Sequence, residues 1–387
     1  MRRIAFLLTL ILIGSCVPFA QADAVKYEAP KQIVITFTGD CTLGIDDRER
    51  GKATSFDAFV QQYGMDYPFE KVRDIFAQDD LTVINLEGTL YNSDVGRAKK
   101  TYAFRGDTSY VEMLKNASIE ACSLGNNHSM DYGMAGLRST VETLEANDIG
   151  WFGSENEFNQ VFVYEKDGIK IGFVSMYEKS WWDKIGILSS AFEQLRAQNV
   201  DLIIGFPHAG IEYDVRYDRG GGQDKLIEKM LNFGADLIVC NHAHTIQGIK
   251  QEGDKTILWG LGNFVFGGNS KIKNNAMGEP TNYTYLAQFT LSFDENNKYL
   301  GHQLNIIPIV VATGKDKAGD LRNYYQPMPA TGKDADFVLN AIKRDRTPGN
   351  LNLNPYVEGI GALQEFVPAS IFRWYSVFPC NESRGRL

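Results

Sequence analysis

Short apolar segments bounded by turn residues alternate with amphipathic segments through the middle of the chain. The apolar segments are rich in β-branched residues, as buried strands are. They lie at residues 33–38, 81–86, 119–124, 169–176, 201–206, 236–240 and 256–259. Apolar spacing near 3.6 residues predicts helices at 67–77, 134–147 and 224–233. This alternation of strands and helices predicts an α/β core.

The pattern changes after residue 280. Segments 283–293 and 301–311 alternate between apolar and polar positions with a polar turn at 294–298 between them, which predicts two antiparallel strands. Beyond residue 312 the chain is rich in Gly, Pro, Asp and Lys, with one helical stretch near 336–344 and an aromatic tail without a clear period. We predict one main domain at 23–312 and a C-terminal extension at 313–387 that packs on it.

The N-terminus has the composition of an export signal. Two arginines precede a short apolar stretch at 4–14, and the sequence A-Q-A ends at Ala22. This pattern predicts a signal peptide at 1–22 and a periplasmic or extracellular protein. The alternative is a lipoprotein box, I-G-S-C, which would place a lipid anchor on Cys16 and make it the one contact with a membrane.

Charge and cysteine content exclude some kinds of partner and site. The net charge of −9, without a basic block, argues against nucleic acid as a partner, and an anionic substrate would need a local cation. Outside the signal, Cys41, Cys122, Cys240 and Cys380 are isolated, so a thiolate zinc site is not expected. They are interpreted as small buried residues, with a disulfide as the alternative.

Polar residues with metal-binding side chains follow the predicted strands directly. Of the five histidines, four lie at such positions, whereas His302 lies in an alternating segment and is interpreted as structural. Carboxylates follow the first two strands. Imidazole, carboxylate and amide oxygen together suit Zn, Mn or Fe. Because α/β folds form their sites at the carboxyl ends of strands, these residues are expected to meet there. The residues are Asp40, Glu87, Asn127, His128, His208, His242 and His244.

The ordered set of motifs resembles the CapA family of bacterial capsule-synthesis and poly-γ-glutamate proteins. The resemblance spans about residues 33–266. It implies an α/β fold of the calcineurin-like metallophosphoesterase type, in which two β-sheets are flanked by helices in the order α/β/β/α. The motifs are F-T-G-D (37–40), N-L-E-G (85–88), F-R-G (104–106), G-N-N-H-S-M-D-Y-G (125–133), H-A-G-I-E-Y (208–213), N-H-A-H (241–244) and L-G-N-F (261–264).

The resemblance also implies roles for single residues. One or two divalent ions (Mn, Zn or Fe) would be bound, with Glu87 bridging and His128 protonating a leaving group. Asp131 would orient His128. The metal ligands would be Asp40, Glu87, Asn127, His208, His242 and His244. Two positions depart from the pattern of the broader metallophosphoesterase superfamily: Thr42 stands where a histidine is usual, and Asn241 where a glycine is usual. These departures favour a weaker first metal site or a single ion.

Arg105, in the F-R-G motif, is the candidate for binding a substrate anion, because a guanidinium grips carboxylate or phosphate with two hydrogen bonds. A surface salt bridge is the equally weighted alternative for this residue.

Three functions remain open at the level of the sequence. The first is a metal-dependent hydrolase outside the cytoplasm, acting through a metal-activated water on a phosphoester or on the γ-linked amide of an anionic polymer. The second is a polymer-binding or export factor that works with capsule export machinery. The third is a scaffold that has lost its metal.

Overall fold

The computed structural model describes residues 29–153, 161–181, 183–345 and 353–369. The predicted signal peptide, Cys16 and Cys380 lie outside these residues. The strands are β1 (Lys31–Thr42), β2 (Ile45–Asp46), β3 (Leu81–Leu86), β4 (Thr89–Leu90), β5 (Phe104–Gly106), β6 (Ala121–Ser123), β7 (Gly150–Phe152), β8 (Phe162–Lys166), β9 (Ile169–Val174), β10 (Leu202–Gly205), β11 (Leu237–Val239), β12 (Ile249–Glu252), β13 (Lys255–Leu258), β14 (Asn263–Phe266), β15 (Tyr283–Phe293), β16 (Tyr299–Lys315), β17 (Leu321–Pro329) and β18 (Ala362–Pro368). The α-helices are α1 (Phe56–Tyr63), α2 (Arg73–Phe76), α3 (Val111–Asn116), α4 (Gly133–Glu145), α5 (Glu178–Trp181), α6 (Ile185–Ala197), α7 (Gly222–Phe233) and α8 (Gly332–Arg344).

The strands form two large sheets and one small one. The first sheet has the order β17-β16-β15-β1-β3-β6-β7, with β14 paired to β1 and β18 paired to β16. Its strands β1, β3, β6 and β7 are parallel, and β15 to β17 are antiparallel. The second sheet has the order β12-β13-β11-β10-β9-β8. The small sheet, β2-β5-β4, lies beside the ends of the first.

The two large sheets pack face to face. Alternate residues of β1 (Ile33, Ile35) and of β9 (Ile169, Ile171) belong to one buried apolar cluster between them, as the two-residue period of a strand requires. A second cluster joins the outer face of the first sheet to α1, α2, α3 and α4. A third joins the outer face of the second sheet to α6 and α7. The predicted α/β/β/α order of layers is therefore confirmed.

Helix α7 shows how the sequence produces one of these layers. Leu226, Ile227 and Met230 repeat at helical spacing and are buried against the second sheet. Full burial of each such side chain contributes about 1.5–3 kcal/mol. The helix ends at Gly234, whose φ of 112° is a left-handed conformation that favours glycine. The strand β11 begins three residues later and continues toward the candidate site.

Residues beyond 312 join the first sheet. Strand β16 extends to Lys315, β17 and β18 both pair with it, and α8 packs on β15 and β16. The predicted boundary between 312 and 313 thus falls inside β16, and the division of the chain into two units stays a prediction. The helix predicted at 67–77 is regular over α2 alone.

Three further features concern sequence predictions. Cys41, Cys122 and Cys240 are buried free thiols in the part of the chain that the structure describes. His302 is buried between the two large sheets, where its ring contacts the Thr256 hydroxyl at 2.8 Å and the Tyr299 hydroxyl at 2.6 Å. Within residues 29–153, 161–181, 183–345 and 353–369, no helix has the length and apolar character needed to cross a membrane.

Candidate metal centre

The candidate residues converge where parallel strands of both large sheets end. Asp40 lies near the end of strand β1, at an irregularity in its pairing with β3, and its backbone N–H donates to the Gly262 carbonyl at 2.9 Å. Gly39 permits this approach, because a Cβ there would lie 2.0 Å from the Gly262 oxygen. Glu87 follows β3 directly. His208 follows β10, and His242 and His244 follow β11. The centre is therefore built from both sheets.

Glu87 lies at the middle of the centre. Its carboxylate is fully buried, and neither oxygen has a hydrogen-bond partner among the described residues. Three imidazole Nε2 atoms surround its Oε1: that of His128 at 3.6 Å and those of His208 and His244 at 3.9 Å. These distances are too long for hydrogen bonds. Ligand atoms of Asp40, Glu87 and His208 all lie within 4.8 Å of one another.

Two groups of polar atoms lie on either side of Glu87. On one side, His208 Nε2 lies 2.7 Å from Asn127 Oδ1 and 2.9 Å from His242 Nδ1. On the other side, His244 Nδ1 lies 3.1 Å from Asp40 Oδ2 and 3.0 Å from Asn263 Oδ1. The structure thus brings together all six residues predicted as metal ligands.

The two histidines after β11 have unusual backbone conformations. His242 has φ 105° and His244 has φ 56°, in the region that non-glycine residues rarely occupy. Such conformations cost about 1–3 kcal/mol each and persist only where the surrounding structure imposes them. Here they direct both imidazoles into the same buried centre, on opposite sides of Glu87.

Burial and mutual contact determine the protonation of these groups. Burial and the nearby Asp40 carboxylate raise the pKa of Glu87 well above its ordinary value. Burial and the neighbouring imidazoles lower the pKa of His208 and of His242 well below theirs, so that both are neutral and each has one unprotonated ring nitrogen. Burial opposes charge on His244, but Glu87 and Asp40 outweigh it and raise its pKa to about 10.

His128 is held in place by its own set of contacts. Its Nδ1 lies 2.6 Å from Asp131 Oδ2, and its ring stacks on Phe104 with 4.3 Å between centroids. Asp131 also accepts the backbone N–H of Phe104 at 2.5 Å and pairs with the Lys100 ammonium at 2.5 Å. Burial lowers the pKa of His128, and the Asp131 carboxylate opposes this shift. Nε2 is left facing Glu87.

Arg105 is not brought to the centre. Because successive side chains of a strand point to opposite faces, Phe104 faces His128 and Arg105 points away from it. The Arg105 guanidinium lies 3.3 Å from the Asp47 carboxylate and 5.4 Å from the Tyr132 ring centroid. Arg105 therefore forms an ion pair with Asp47, as the salt-bridge interpretation of this residue expects.

Three asparagines to which the sequence analysis assigned no role also belong to the centre. Asn85 donates to Asp40 Oδ1 at 2.8 Å, and Asn126 donates to Asn85 Oδ1 at 3.0 Å. Asn263 contacts His244, as described above. Each lies within one of the motifs, and Asn85 is an amide in a buried strand whose other residues are apolar except for Thr82. That last feature is the signal that the sequence offers for it.

The residues present fit a divalent metal ion. A buried carboxylate without a partner is costly unless a cation neutralises it. Two donor atoms that each bind Zn at about 2.0–2.2 Å lie roughly 3–4 Å apart, which is the spacing found around Glu87 Oε1. Mixed oxygen and imidazole donors suit Zn, Mn and Fe. The centre is thus a candidate divalent-metal site.

Comparison with known proteins shows the family of this chain. Residues 34–268, more than half of the chain, match the family model for bacterial capsule synthesis protein PGA_cap. The chain belongs to this family. Capsule biosynthesis protein CapA of Bacillus anthracis is 27% identical over 379 residues, which cover 90% of this chain and 84% of the relative. PGA biosynthesis protein CapA of Bacillus subtilis is 28% identical over 264 residues, covering 64% of this chain and 67% of the relative.

A solved structure with a similar arrangement is that of a putative 5'-nucleotidase from Staphylococcus aureus. It aligns with a TM-score of 0.40 and 12% identity, over 81% of this chain and 58% of that one. The fold class expected from the family resemblance, a calcineurin-like metallophosphoesterase sandwich, is confirmed by the α/β/β/α layers of the PGA_cap member described here.

Proposed function

We propose that this protein is a metal-dependent hydrolase of capsule biosynthesis that acts outside the cytoplasm on an anionic polymer. The observation that carries this proposal is the buried Glu87 carboxylate, which has no hydrogen-bond partner and is surrounded by imidazole nitrogens of His128, His208 and His244. A stable fold does not need such a group. A site that binds a cation does.

The ligand groups follow from the two clusters. Asn127, His208 and His242 would hold one ion, and Asp40 and His244 would hold the other, with Glu87 between them. Asn263 lies close enough to His244 to orient its ring or to be a further ligand of the same ion. Mn, Zn and Fe are the candidate metals, with one or two ions per chain. Thr42 offers a hydroxyl in place of an imidazole, so the site with Asp40 would bind more weakly.

Bound ions of this type lower the pKa of a coordinated water and so supply a nucleophile at neutral pH. The remaining steps belong to the chain. His128 would donate a proton from Nε2 to the leaving group, because Nδ1 is held by Asp131. Phe104 covers one face of the His128 ring and excludes water from it.

Two bonds are candidates for cleavage. One is a phosphoester, and the other is the γ-glutamyl amide, which is suggested by the names of the relatives, capsule biosynthesis and PGA biosynthesis proteins. An extracytoplasmic location follows from the signal peptide predicted at 1–22, with a lipid anchor on Cys16 as the alternative. Capsule export machinery would then be a neighbour.

Metal content and turnover test the proposal together. Zn, Mn and Fe would be measured by elemental analysis in protein purified without chelator, and turnover would be screened with phosphoesters and a γ-linked glutamate oligomer. We expect one or two ions per chain, and loss of both metal and turnover when His242 and His244 are replaced by Ala. The control is Glu120→Gln, a partly buried acid at the opposite end of β6, which should keep both.

The outcomes separate the competing functions. Metal with polymer binding but no turnover on either bond would favour a binding or export factor. A chain that neither retains nor rebinds metal would be a scaffold, and the proposal would be wrong. Undiminished turnover in the double variant would remove the metal from the mechanism.

A further inference from the structure

A cleft of about 760 Å³ opens beside the candidate metal centre. It is lined by Tyr102 and by the segments 268–274 and 319–321, together with Asp46, Arg48 and Glu49. Its cationic side chains are Arg48, Lys271 and Lys273, and a local positive charge is needed to attract an anionic polymer to a protein that is acidic overall.

Two of these three cations already pair with a carboxylate. Arg48 contacts Asp46 at 2.6 Å, and Lys271 contacts Asp320 at 2.6 Å. None of the ion pairs formed among the described residues includes Lys273. Its ammonium instead lies over two aromatic rings, 5.0 Å from the centroid of Tyr102 and 4.9 Å from that of Tyr213. An ammonium has three N–H donors, so it can contact these rings and still donate to an anion.

The two tyrosines connect Lys273 to the metal centre from both sides. The Tyr213 ring lies 5.6 Å from the His244 ring. The Tyr102 ring stacks with Phe104, which in turn stacks on His128. Lys273 therefore lies at the mouth of the centre, between the wall that contains a candidate metal ligand and the wall that contains the candidate proton donor.

The backbone around Lys273 is fixed. Its carbonyl accepts hydrogen bonds from the N–H of Thr281 at 3.0 Å and from the hydroxyl of Thr281 at 2.9 Å. Ala276 N–H donates to the Tyr213 carbonyl at 2.8 Å, which ties the same loop to the wall beside His244. The backbone that carries the Lys273 side chain is thus held in place before any ligand arrives, which lowers the entropy cost of binding.

We propose that Lys273 is the residue that binds an anionic group, carboxylate or phosphate, of an extended polyanion lying in this cleft. The role rests on the proposed function, because it makes the neighbouring metal centre the place where the same polymer is cleaved. Lys273 takes the part that the sequence analysis gave to Arg105. The exposed Glu212 carboxylate lies near enough to act on the Lys273 charge, so it opposes the same anion.

Direct binding measurements test this role separately from catalysis. The probe is a fluorescently labelled γ-linked glutamate oligomer, measured by anisotropy with the metal-loaded protein, with linear polyphosphate as competitor. We expect Lys273→Met to weaken binding about tenfold, the usual size of a hydrogen bond to a charged group at a partly exposed site. Lys273→Arg keeps the charge and should bind within about threefold of wild type. Glu212→Gln should bind more tightly.

The matched control is Lys229→Met. Lys229 also places its ammonium over an aromatic ring, 5.4 Å from the Phe233 centroid. It lies on α7, on the outer face of the second sheet, and does not line the cleft. Its variant should bind as wild type does. Thermal unfolding of each variant shows whether it is folded.

Each result decides one question. Unchanged binding in folded Lys273→Met, or a wild type that binds neither polymer, would show that the inference is wrong. Weakened binding without any turnover in wild type would support the Lys273 role and refute the hydrolase. Stronger competition by polyphosphate than by the unlabelled glutamate oligomer, at matched charge, would identify phosphate rather than carboxylate as the preferred group.

Discussion

At the scale of single residues, the centre depends on a carboxylate in an environment that does not suit it. Glu87 is buried beside a second carboxylate, Asp40, and its pKa is raised well above the ordinary value for that reason. Protonation relieves the electrostatic cost in the metal-free protein, and a bound cation would relieve it in the loaded protein. Glu87 is therefore the residue at which metal binding and stability are most directly linked.

Replacement of Glu87 by Gln tests this link. Without metal, we expect the variant to unfold at the same temperature as wild type or higher at pH 8, because the amide removes a buried carboxylate. With Mn or Zn at about a hundredfold excess over its Kd, wild type should gain ~2.7 kcal/mol. The variant should gain much less. Differential scanning fluorimetry measures both shifts, and an equal gain in the two proteins would contradict the prediction.

The sequence indicated which residue types form the centre, but it did not indicate the side-chain orientation of every candidate residue. The six ligand candidates lie at the ends of apolar strands or within a few residues after them, and the end of a strand places such residues well. Arg105 follows no such rule. It lies in a three-residue strand whose pairing with β2 and β4 decides which face meets the centre, and no periodicity can be measured over three residues.

At the scale of elements, Asp131 joins two pieces of chain: the loop after β6, to which it belongs, and the segment 100–104. Its carboxylate contacts the loop after β6 through His128, strand β5 through the Phe104 N–H, and the loop before β5 through Lys100. A single side chain thus holds the candidate proton donor and the aromatic ring that covers it in one geometry.

Asp131→Asn should separate proton donation from metal binding. The substitution removes a charge that raises the pKa of His128, so less of the protonated imidazole is present at a given pH. We expect kcat to fall at least ~tenfold, and the loss of rate on raising the pH to begin at a lower pH. Metal content should not change. A pH–rate profile with elemental analysis checks this, and an unaltered kcat would exclude Asp131 as a positioning residue.

Elements were predicted well where both faces are buried and poorly elsewhere. Strand β3 (Leu81–Leu86) is buried at every position, and its apolar run has the predicted bounds. Strands β17 and β18 were not predicted, because their half-exposed residues lie among Gly, Pro and charged positions. Their strand character comes from pairing with β16, which is a tertiary contact that local sequence does not record.

At the scale of the whole molecule, His302 joins the two large sheets. It lies on β16 of the first sheet and contacts Thr256 on β13 of the second. Burial lowers the pKa of His302 to about 4, so the folded protein keeps it neutral. The unfolded chain binds a proton near pH 6.5. The stability that this residue contributes is therefore complete above pH 6.5 and is lost as the pH falls toward 4.

His302→Asn tests this inter-sheet contact. The pKa difference corresponds to ~3 kcal/mol between pH 7 and pH 4. We expect the free energy of unfolding of wild type, measured with urea, to fall by this amount between pH 7 and pH 4. The variant should be less stable than wild type at pH 7, but its free energy of unfolding should fall by about 3 kcal/mol less over the same pH range. Comparing the two proteins cancels the other groups that titrate there. Parallel pH curves would mean that His302 does not contribute to acid unfolding.

The origin of the ligands in two sheets has a kinetic consequence. Asp40, Glu87 and Asn127 belong to the first sheet, and His208, His242 and His244 belong to the second. A partly folded chain whose two sheets have not yet docked does not present the complete set of ligands. Metal binding therefore follows docking of the sheets, a step that depends on contacts between residues distant in sequence and is slow for that reason. Once loaded, the ion would have to be released before the sheets could separate. Its residence time would then limit the unfolding rate, and chelators would shorten the lifetime of the folded protein.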